Sequence, residues 1–383
     1  MDNFTASILS WIEQSITKHH KMFRTHIIGS GSHIPTRTMK NADFASRIFY
    51  ENYGKKLDKE GSEITEKFKE ITTIAERRYA DDDQLASDLG KMAAEKAIAD
   101  AGIDKEKLDY IIVGHNFGDI SFANRRTELV PSLSAKIKHH LGIENPFCVA
   151  YDLPFGCPGW LQGVIQADYY LKSGDAKYAL VIGAETLSRV CDPHDRDSML
   201  YADGAGAVVL EAQEKNDSGL ICHVSRSDTK HHAFMLHMGP SYAHAEGTDP
   251  ELYLKMTGRK LYQYALEHVP QAMKMCLDKG GVHIDQVAKV LIHQANAKMD
   301  EAILQRLYAL YDRVPDSENL MPMSISWLGN SSVATLPTLY DLISHNELGS
   351  HSFQPGDLLL FASVGAGMHI NAFLYRVPVK LNF

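Results

Sequence analysis

Two stretches decide the fold: QLASDLGKMAAEKAIADAGIDKEKLDYIIV at residues 84–113 and QYALEHVPQAMKMCLDKGGVHIDQVAKVLI at residues 263–292. They align without a gap at a constant offset of 179, the distance from Gln84 to Gln263. Leu85, Leu89, Met92, Ala93 and Ile98 recur three and four residues apart, the period of a helix with one apolar face, and Gly102 stands where a helix C-terminus takes a left-handed residue. The strands YIIV and KVLI that follow are continuous apolar runs, expected where both faces of a parallel sheet are covered. Each stretch therefore reads as helix, glycine stop and buried strand, repeated in tandem.

Working outward, a second pair supports the duplication. FGCPGW opens a helix that leads to SGDAKYALVIGAE, and LGNSSVA opens one that leads to QPGDLLLFASVGAG. Aligning Gly156 with Gly329 sets Cys157 opposite Asn330, while His293 follows KVLI where Gly114 follows YIIV. Functional groups of open α/β sheets gather at strand carboxyl ends and the helix N-termini beyond them, so these three residues point to one site near a pseudo-twofold axis. Taken singly, each has a plain structural reading: a buried inert thiol, a hydrogen-bonded histidine, a turn asparagine. Their joint placement suggests chemistry. A helix N-terminus is expected to lower the Cys157 thiol, Pro158 suits the first helical turn, and neutral His293 and amide Asn330 both carry N–H donors. Gly365, Ala366 and Gly367 form a small-residue loop whose backbone can approach a thioester carbonyl.

The chain has 383 residues, 44% hydrophobic and 23% charged, with net charge -9 and no long block of like charge. That composition argues against nucleic-acid binding. Five scattered cysteines with no CxxC pair fit a reducing, cytoplasmic setting. No run approaches the ~20 apolar residues of a membrane span, and Ser10, Glu13 and Gln14 interrupt the apolar positions of the first helix, so residues 1–22 read as an amphipathic appendage. ADGAGAVVLE leads into a strand and fails the dinucleotide fingerprint, and no P-loop occurs. The histidines of KHHAFMLHMGPSYAHAEG lack metal-ligand spacing and are expected in a mobile polar loop, with no metal site.

FRTHIIGSGSHIPTRTMKNADF, ERRYADDDQLASDLGKMAAEKAIADAGI, PFGCPGWLQGVIQADYYL, YALVIGAETLSR, YADGAGAVVLE, MTGRKLYQYAL, LIHQANAKM and LGNSSVATLP follow one another in one order within the stretch from Phe23 to Val379. With these motifs the chain resembles the thiolase-like condensing enzymes, most closely the 3-oxoacyl-[acyl-carrier-protein] synthase III family. The resemblance implies a thiolase-like αβαβα layered α/β fold built from two tandemly duplicated halves, 23–215 carrying Cys157 and 216–383 carrying His293 and Asn330. It implies a homodimer, acyl transfer to Cys157 and decarboxylative condensation with a malonyl-type or β-ketoacyl thioester. His293 and Asn330 would hold the enolate, and the amides of Cys157 and Ala366 the oxyanion. Gly365, Gly367, Lys298 and Val130 would contact substrate, the last across the dimer. Substrates would be acyl-coenzyme A or acyl carrier protein thioesters, with no tightly bound cofactor, and acyl carrier protein would be a partner.

Two departures bear on specificity. Where the family has Trp and Arg to grip the coenzyme A nucleotide, EKFKEITTIAERR places Lys67 and Ile71. Val130 stands where an aromatic often closes the acyl pocket, which suggests a longer chain. An alternative is therefore a specialised ketosynthase joining two fatty acyl chains, as in dialkylresorcinol or related lipid synthesis. A non-catalytic partner subunit would typically lack the nucleophile, and a hydrolase or non-decarboxylating acyltransferase would release no carbon dioxide.

Overall fold

A computed structural model describes residues 22–214, 216–244, 251–315 and 317–379. The amphipathic segment expected at the N-terminus lies outside the described residues, Met22 apart. Five strands form the first large sheet: β1 (Phe23–His33), β2 (Tyr110–His115), β3 (Val149–Pro154), β4 (Tyr178–Thr186) and β5 (Asp203–Glu214). Four form the second: β6 (Gly219–Ser227), β7 (Val287–Ile292), β8 (Leu358–Gly365) and β9 (His369–Arg376). Their orders are β1-β5-β4-β2-β3 and β6-β9-β8-β7. The second repeats the first strand for strand and lacks a counterpart of β3. Both sheets are mixed rather than purely parallel: β4 pairs parallel with β2 and β8 with β7, whereas β5 and β9 run antiparallel to their neighbours. The continuous apolar runs YIIV and KVLI fall on the parallel side, where helices cover both faces.

The repeated helices are α2 (Ala86–Ala101) and α5 (Gly258–Gly280), the latter running through Pro270. Their stops match: Gly102 (φ 61°) and Gly281 (φ 64°) cap them in the left-handed region, where glycine meets no Cβ penalty. Leu89 and Ala93 are fully buried, as the helical period predicts, although α2 starts at Ala86 rather than Gln84.

Layering follows from which apolar faces meet. Between the sheets lie α4 (Gly159–Ser173) and α7 (Thr335–Ser344), and one core joins Trp160, Leu161 and Val164 to Leu336 and Leu339, and to Phe361 and Phe373 of the second sheet. Phe361 stacks on Phe373 at 4.4 Å between centroids. Outside the first sheet α2 and α3 (Leu133–His140) close a second core, and outside the second sheet α5 and α6 (Ala297–Ala309) close a third. The result is α, β, α, β, α. Carboxylates fasten both middle helices to β1: Thr25 Oγ1 donates to Asp168 at 2.6 Å, and Ser30 and Ser32 donate to the two oxygens of Asp341 at 2.9 and 2.6 Å.

The histidine-rich stretch forms a short helix (Thr229–His232) and the strand Leu236–Gly239, paired antiparallel with Tyr253–Met256. The expected mobile loop is thus replaced, over its described part, by ordered elements. Among the described residues no group of three His, Cys, Asp or Glu is placed to hold a metal ion, and no helix is long and apolar enough to cross a membrane.

Candidate active site

The cysteine corner and its counterpart are built on the same turn. Gly156 (φ 68°) and Gly329 (φ 72°) occupy equivalent places, both left-handed, and each is followed by a polar residue that faces the junction between the halves. Cys157, half-buried, stands two residues before α4, with Pro158 as its cap. The loop 365–367 lies directly against it. A Cβ on Gly365, whose backbone is extended, would sit 2.6 Å from the Cys157 nitrogen, so only glycine permits this approach. The backbone N–H groups of Cys157 and Ala366 are thereby carried on adjoining segments.

His293 follows β7, and its amide donates to Ala362 of β8 at 2.9 Å, so it stands at the sheet end from which the Gly365 loop emerges. Each polar letter of HQAN has a task. Gln294, fully buried, donates to Pro322 and accepts from the Ser324 and Ile325 amides at 2.8 and 3.0 Å, holding the segment that leads to Asn330. Asn296 caps α6 by accepting from the Lys298 and Met299 amides. Asn330 is gripped through its backbone, donating to Leu200 and accepting from Ala202. Its side-chain oxygen accepts from the Ser332 amide at 2.8 Å, which leaves the two N–H donors of its NH2 outside that bond.

Ser332 links the halves: its hydroxyl donates to the Cys157 sulfur at 3.2 Å. Asn116, just beyond β2, donates its side-chain NH2 to the Ser332 oxygen at 2.9 Å and to Glu185 at the end of β4, which also accepts the Asn116 amide at 2.9 Å. Cys157 and Asn330 are thus joined through one serine. Among the described residues no hydrogen bond connects Cys157, His293 and Asn330 directly.

Burial governs the charges. It lowers His293 to about 4, so the imidazole is neutral near pH 7, and its Nδ1 has no partner. It raises Glu185 to about 8, and bonds from Asn116 oppose that rise without cancelling it. It also pushes the Cys157 thiol up to about 11, with the Ser332 bond and the residue's own backbone working the other way and the nearby Glu185 carboxyl adding to the rise. The expectation of a thiol lowered by the helix N-terminus is not met: desolvation outweighs the favourable N–H groups. A second correction concerns Gly114, which does not stand after its strand, because β2 continues to His115.

Beyond the Asn296 cap, α6 meets α1 (Gly61–Thr72). Lys298 is exposed, and Lys67 pairs with Glu70 at 2.8 Å. That bond holds the Glu70 carboxyl below its usual range, and the charge of Lys298 adds to it. Ile71 is exposed on the same helix. Val130 is 91% exposed, outside the apolar cores. Beneath the Asn330 turn lies Arg77 of ERR, fully buried, donating to Met199, Met39 and Asn41; a Cβ on Gly329 would meet its Cβ at 2.6 Å. Ser332, Asn116, Glu185 and Arg77 were not singled out by sequence reasoning. A signal existed for two of them, since Asn116 and Glu185 follow apolar strands at their carboxyl ends.

The chain is similar to known proteins along most of its length. The family 3-oxoacyl-[acyl-carrier-protein] synthase III matches residues 151–229, and its C-terminal part matches residues 277–377. The beta-ketoacyl-[acyl-carrier-protein] synthase III of Erythrobacter litoralis is 32% identical over 359 residues, 93% of this chain and 100% of that one. The solved 3-oxoacyl-[acyl-carrier-protein] synthase III of Aquifex aeolicus VF5 superposes with TM-score 0.73 at 28% identity, covering 92% of this chain and 99% of that one. The priming beta-ketosynthase of the R1128 polyketide biosynthetic pathway superposes with TM-score 0.77 at 25% identity, covering 94% and 97%. A duplicated five-layer fold that brings a cysteine turn and an asparagine turn to one junction, with relatives matched along almost their whole length, places this chain in the beta-ketoacyl-[acyl-carrier-protein] synthase III family of condensing acyltransferases.

Proposed function

We propose that Cys157 carries the acyl group and that His293 and Asn330 act on the second substrate. The observation that carries this reading is the junction itself: the Asn330 turn, its side-chain oxygen bonded to the Ser332 amide, is tied to the Cys157 sulfur through the Ser332 hydroxyl, with a neutral His293 at the adjoining sheet end. In the first step the Cys157 sulfur attacks a thioester carbonyl. The carbonyl electron pair moves onto oxygen, against the amides of Cys157 and Ala366, and returns as the donor's carbon-sulfur bond breaks and its sulfur leaves as a thiol with the proton given up by Cys157. In the second, a malonyl-type thioester loses carbon dioxide. The pair from that bond forms an enolate whose oxygen accepts from the His293 and Asn330 N–H groups, and its carbon attacks the acyl-cysteine, releasing the Cys157 sulfur. A neutral imidazole suits hydrogen-bond donation without protonating the enolate.

Gly365 and Gly367 let the loop backbone reach the thioester, and the exposed Lys298 suits a phosphopantetheine phosphate or an acidic acyl carrier protein. No tightly bound cofactor is needed. A homodimer is supported by the open edge of β3 and by Phe147, Leu129 and Val130 exposed beside it, which would bring Val130 to the partner's acyl pocket. We place the enzyme in the cytoplasm, on the cysteine usage of the sequence. The test is mass spectrometry after incubation with acyl thioesters of graded length. An adduct on the Cys157 peptide and loss of condensation in Cys157→Ala are expected, and full condensation by Cys157→Ala would sink the reading.

A second reading, a ketosynthase joining two fatty chains, is favoured by Lys67 and Ile71, which put an ion pair and an exposed aliphatic where a nucleotide grip would stand. Chromatography of products from a β-ketoacyl thioester against malonyl carrier protein separates the two.

A further inference from the structure

Among the described residues no Lys or Arg acts on the Cys157 sulfur to favour its anion, His293 is neutral, and burial opposes ionisation. What touches it is the Ser332 hydroxyl, and that hydroxyl is aimed. A serine has one hydrogen to give. Asn116 donates into the Ser332 oxygen at 2.9 Å, which leaves the hydroxyl hydrogen for the sulfur at 3.2 Å. The orientation of the Asn116 amide is fixed in turn by Glu185: its Oε1 accepts the backbone N–H of Asn116, which assigns the carboxyl's proton to Oε2, so the side-chain group against Oε1 is the NH2.

The backbone carries a cost to keep this arrangement. Ser332 has φ 53°, a left-handed conformation that is unfavourable for a residue with a Cβ. It is held there by its amide bond to Asn330 and by Val333, whose carbonyl oxygen would lie 2.3 Å from a Cβ on Gly183. Glycine would relax this turn, so what the serine adds is its hydroxyl.

We propose that Ser332 is the hydrogen-bond donor that holds the Cys157 sulfur as an anion for acyl transfer, and that Asn116 and Glu185 are the positioning residues that aim it. The inference rests on Cys157 being the nucleophile, and its test is separable from that reading because it follows the thiol rather than turnover. Alkylation of Cys157 in the full chain by iodoacetamide, read by peptide mass spectrometry, is followed from about pH 6 to 10, below the thiol's value of about 11, where the rate rises tenfold per pH unit and its displacement along the pH axis gives the change in ionisation midpoint. Ser332→Gly removes the hydroxyl and relieves the strained backbone; Ser332→Ala removes the hydroxyl alone. Both are expected to raise the midpoint by about one pH unit and to slow alkylation and thioester acylation roughly tenfold near neutral pH, the scale of one hydrogen bond to a charged group. Ser332→Gly is expected to melt no lower than the native chain. Asn116→Leu gives a smaller rise, and the double variant with Ser332→Gly no more than Ser332→Gly alone, because both act through one contact. An unchanged midpoint in folded Ser332→Gly or Ser332→Ala, or additive shifts in the double variant, overturns the proposal. Condensation surviving in Cys157→Ala would instead overturn the nucleophile assignment.

Discussion

Glu185 holds its proton where free carboxyls have lost theirs, and this makes it a stability element with a definite sign. Burial raises its folded value to about 8, whereas the unfolded chain ionises it near 4.3. Between those values unfolding releases a proton, so its contribution is full below about pH 4 and is lost as pH rises through 8. Glu185→Gln keeps an acceptor for Asn116 and cannot ionise. Its melting temperature relative to the native chain is therefore expected to rise by a few degrees between pH 5 and 8.5; a difference that stays constant in scanning calorimetry would count against a buried neutral carboxyl. Sequence made Cys157, His293 and Asn330 legible because the repeat set them at equivalent strand and helix ends. It did not make Ser332 legible, because GNSS offers two serines and only a left-handed backbone decides which one turns toward the sulfur. The ionisation of Cys157 was misread for a related reason: helix position is written in the sequence, whereas burial depends on what packs above it.

At the scale of elements, the loop 365–367 shows how little room the site leaves. A Cβ on Gly365 would lie 2.6 Å from the Cys157 amide nitrogen and 3.1 Å from its Cβ, so Gly365→Ala must push the two strand-end loops apart. A displacement near 1 Å at a reacting centre can cost about a hundredfold. We expect Gly365→Ala to lose at least that much acylation rate while its melting temperature changes by only a few degrees, since the loop is not part of the apolar cores. Equal losses in acylation and folding would show instead that the loop is a structural clasp. The spacing of glycines in SVGAGMH signalled a close approach, but not its partner, which comes from the other half of the chain. The histidine-rich stretch illustrates the converse. Its polar composition reads as loop, yet Lys255 of the paired strand is fully buried against Asp192 at 2.5 Å, an anchor that local sequence does not display.

Across the whole molecule, the tandem repeat suggests two units, but the packing joins them. The middle core draws Trp160, Leu161 and Val164 from one half and Leu336, Leu339, Phe361 and Phe373 from the other. Each such side chain contributes about 1.5–3 kcal/mol through burial, and either half alone would leave its share in water. A single cooperative calorimetric transition is expected for the full chain, and two resolved transitions would show that the halves are independent after all. Periodicity revealed that each half has a buried sheet; it could not reveal that one layer serves both, because apolar runs do not name the face that covers them.

That shared layer has a consequence during synthesis. Leu161 leaves the ribosome about 175 residues ahead of Leu336, and at about 5–20 residues per second the nascent first half waits on the order of ten to thirty seconds for its cover. Through that interval the inner face of the first sheet is uncapped, with α4 lying on it and nothing above. The first half therefore completes its core only when translation delivers α7 and the second sheet.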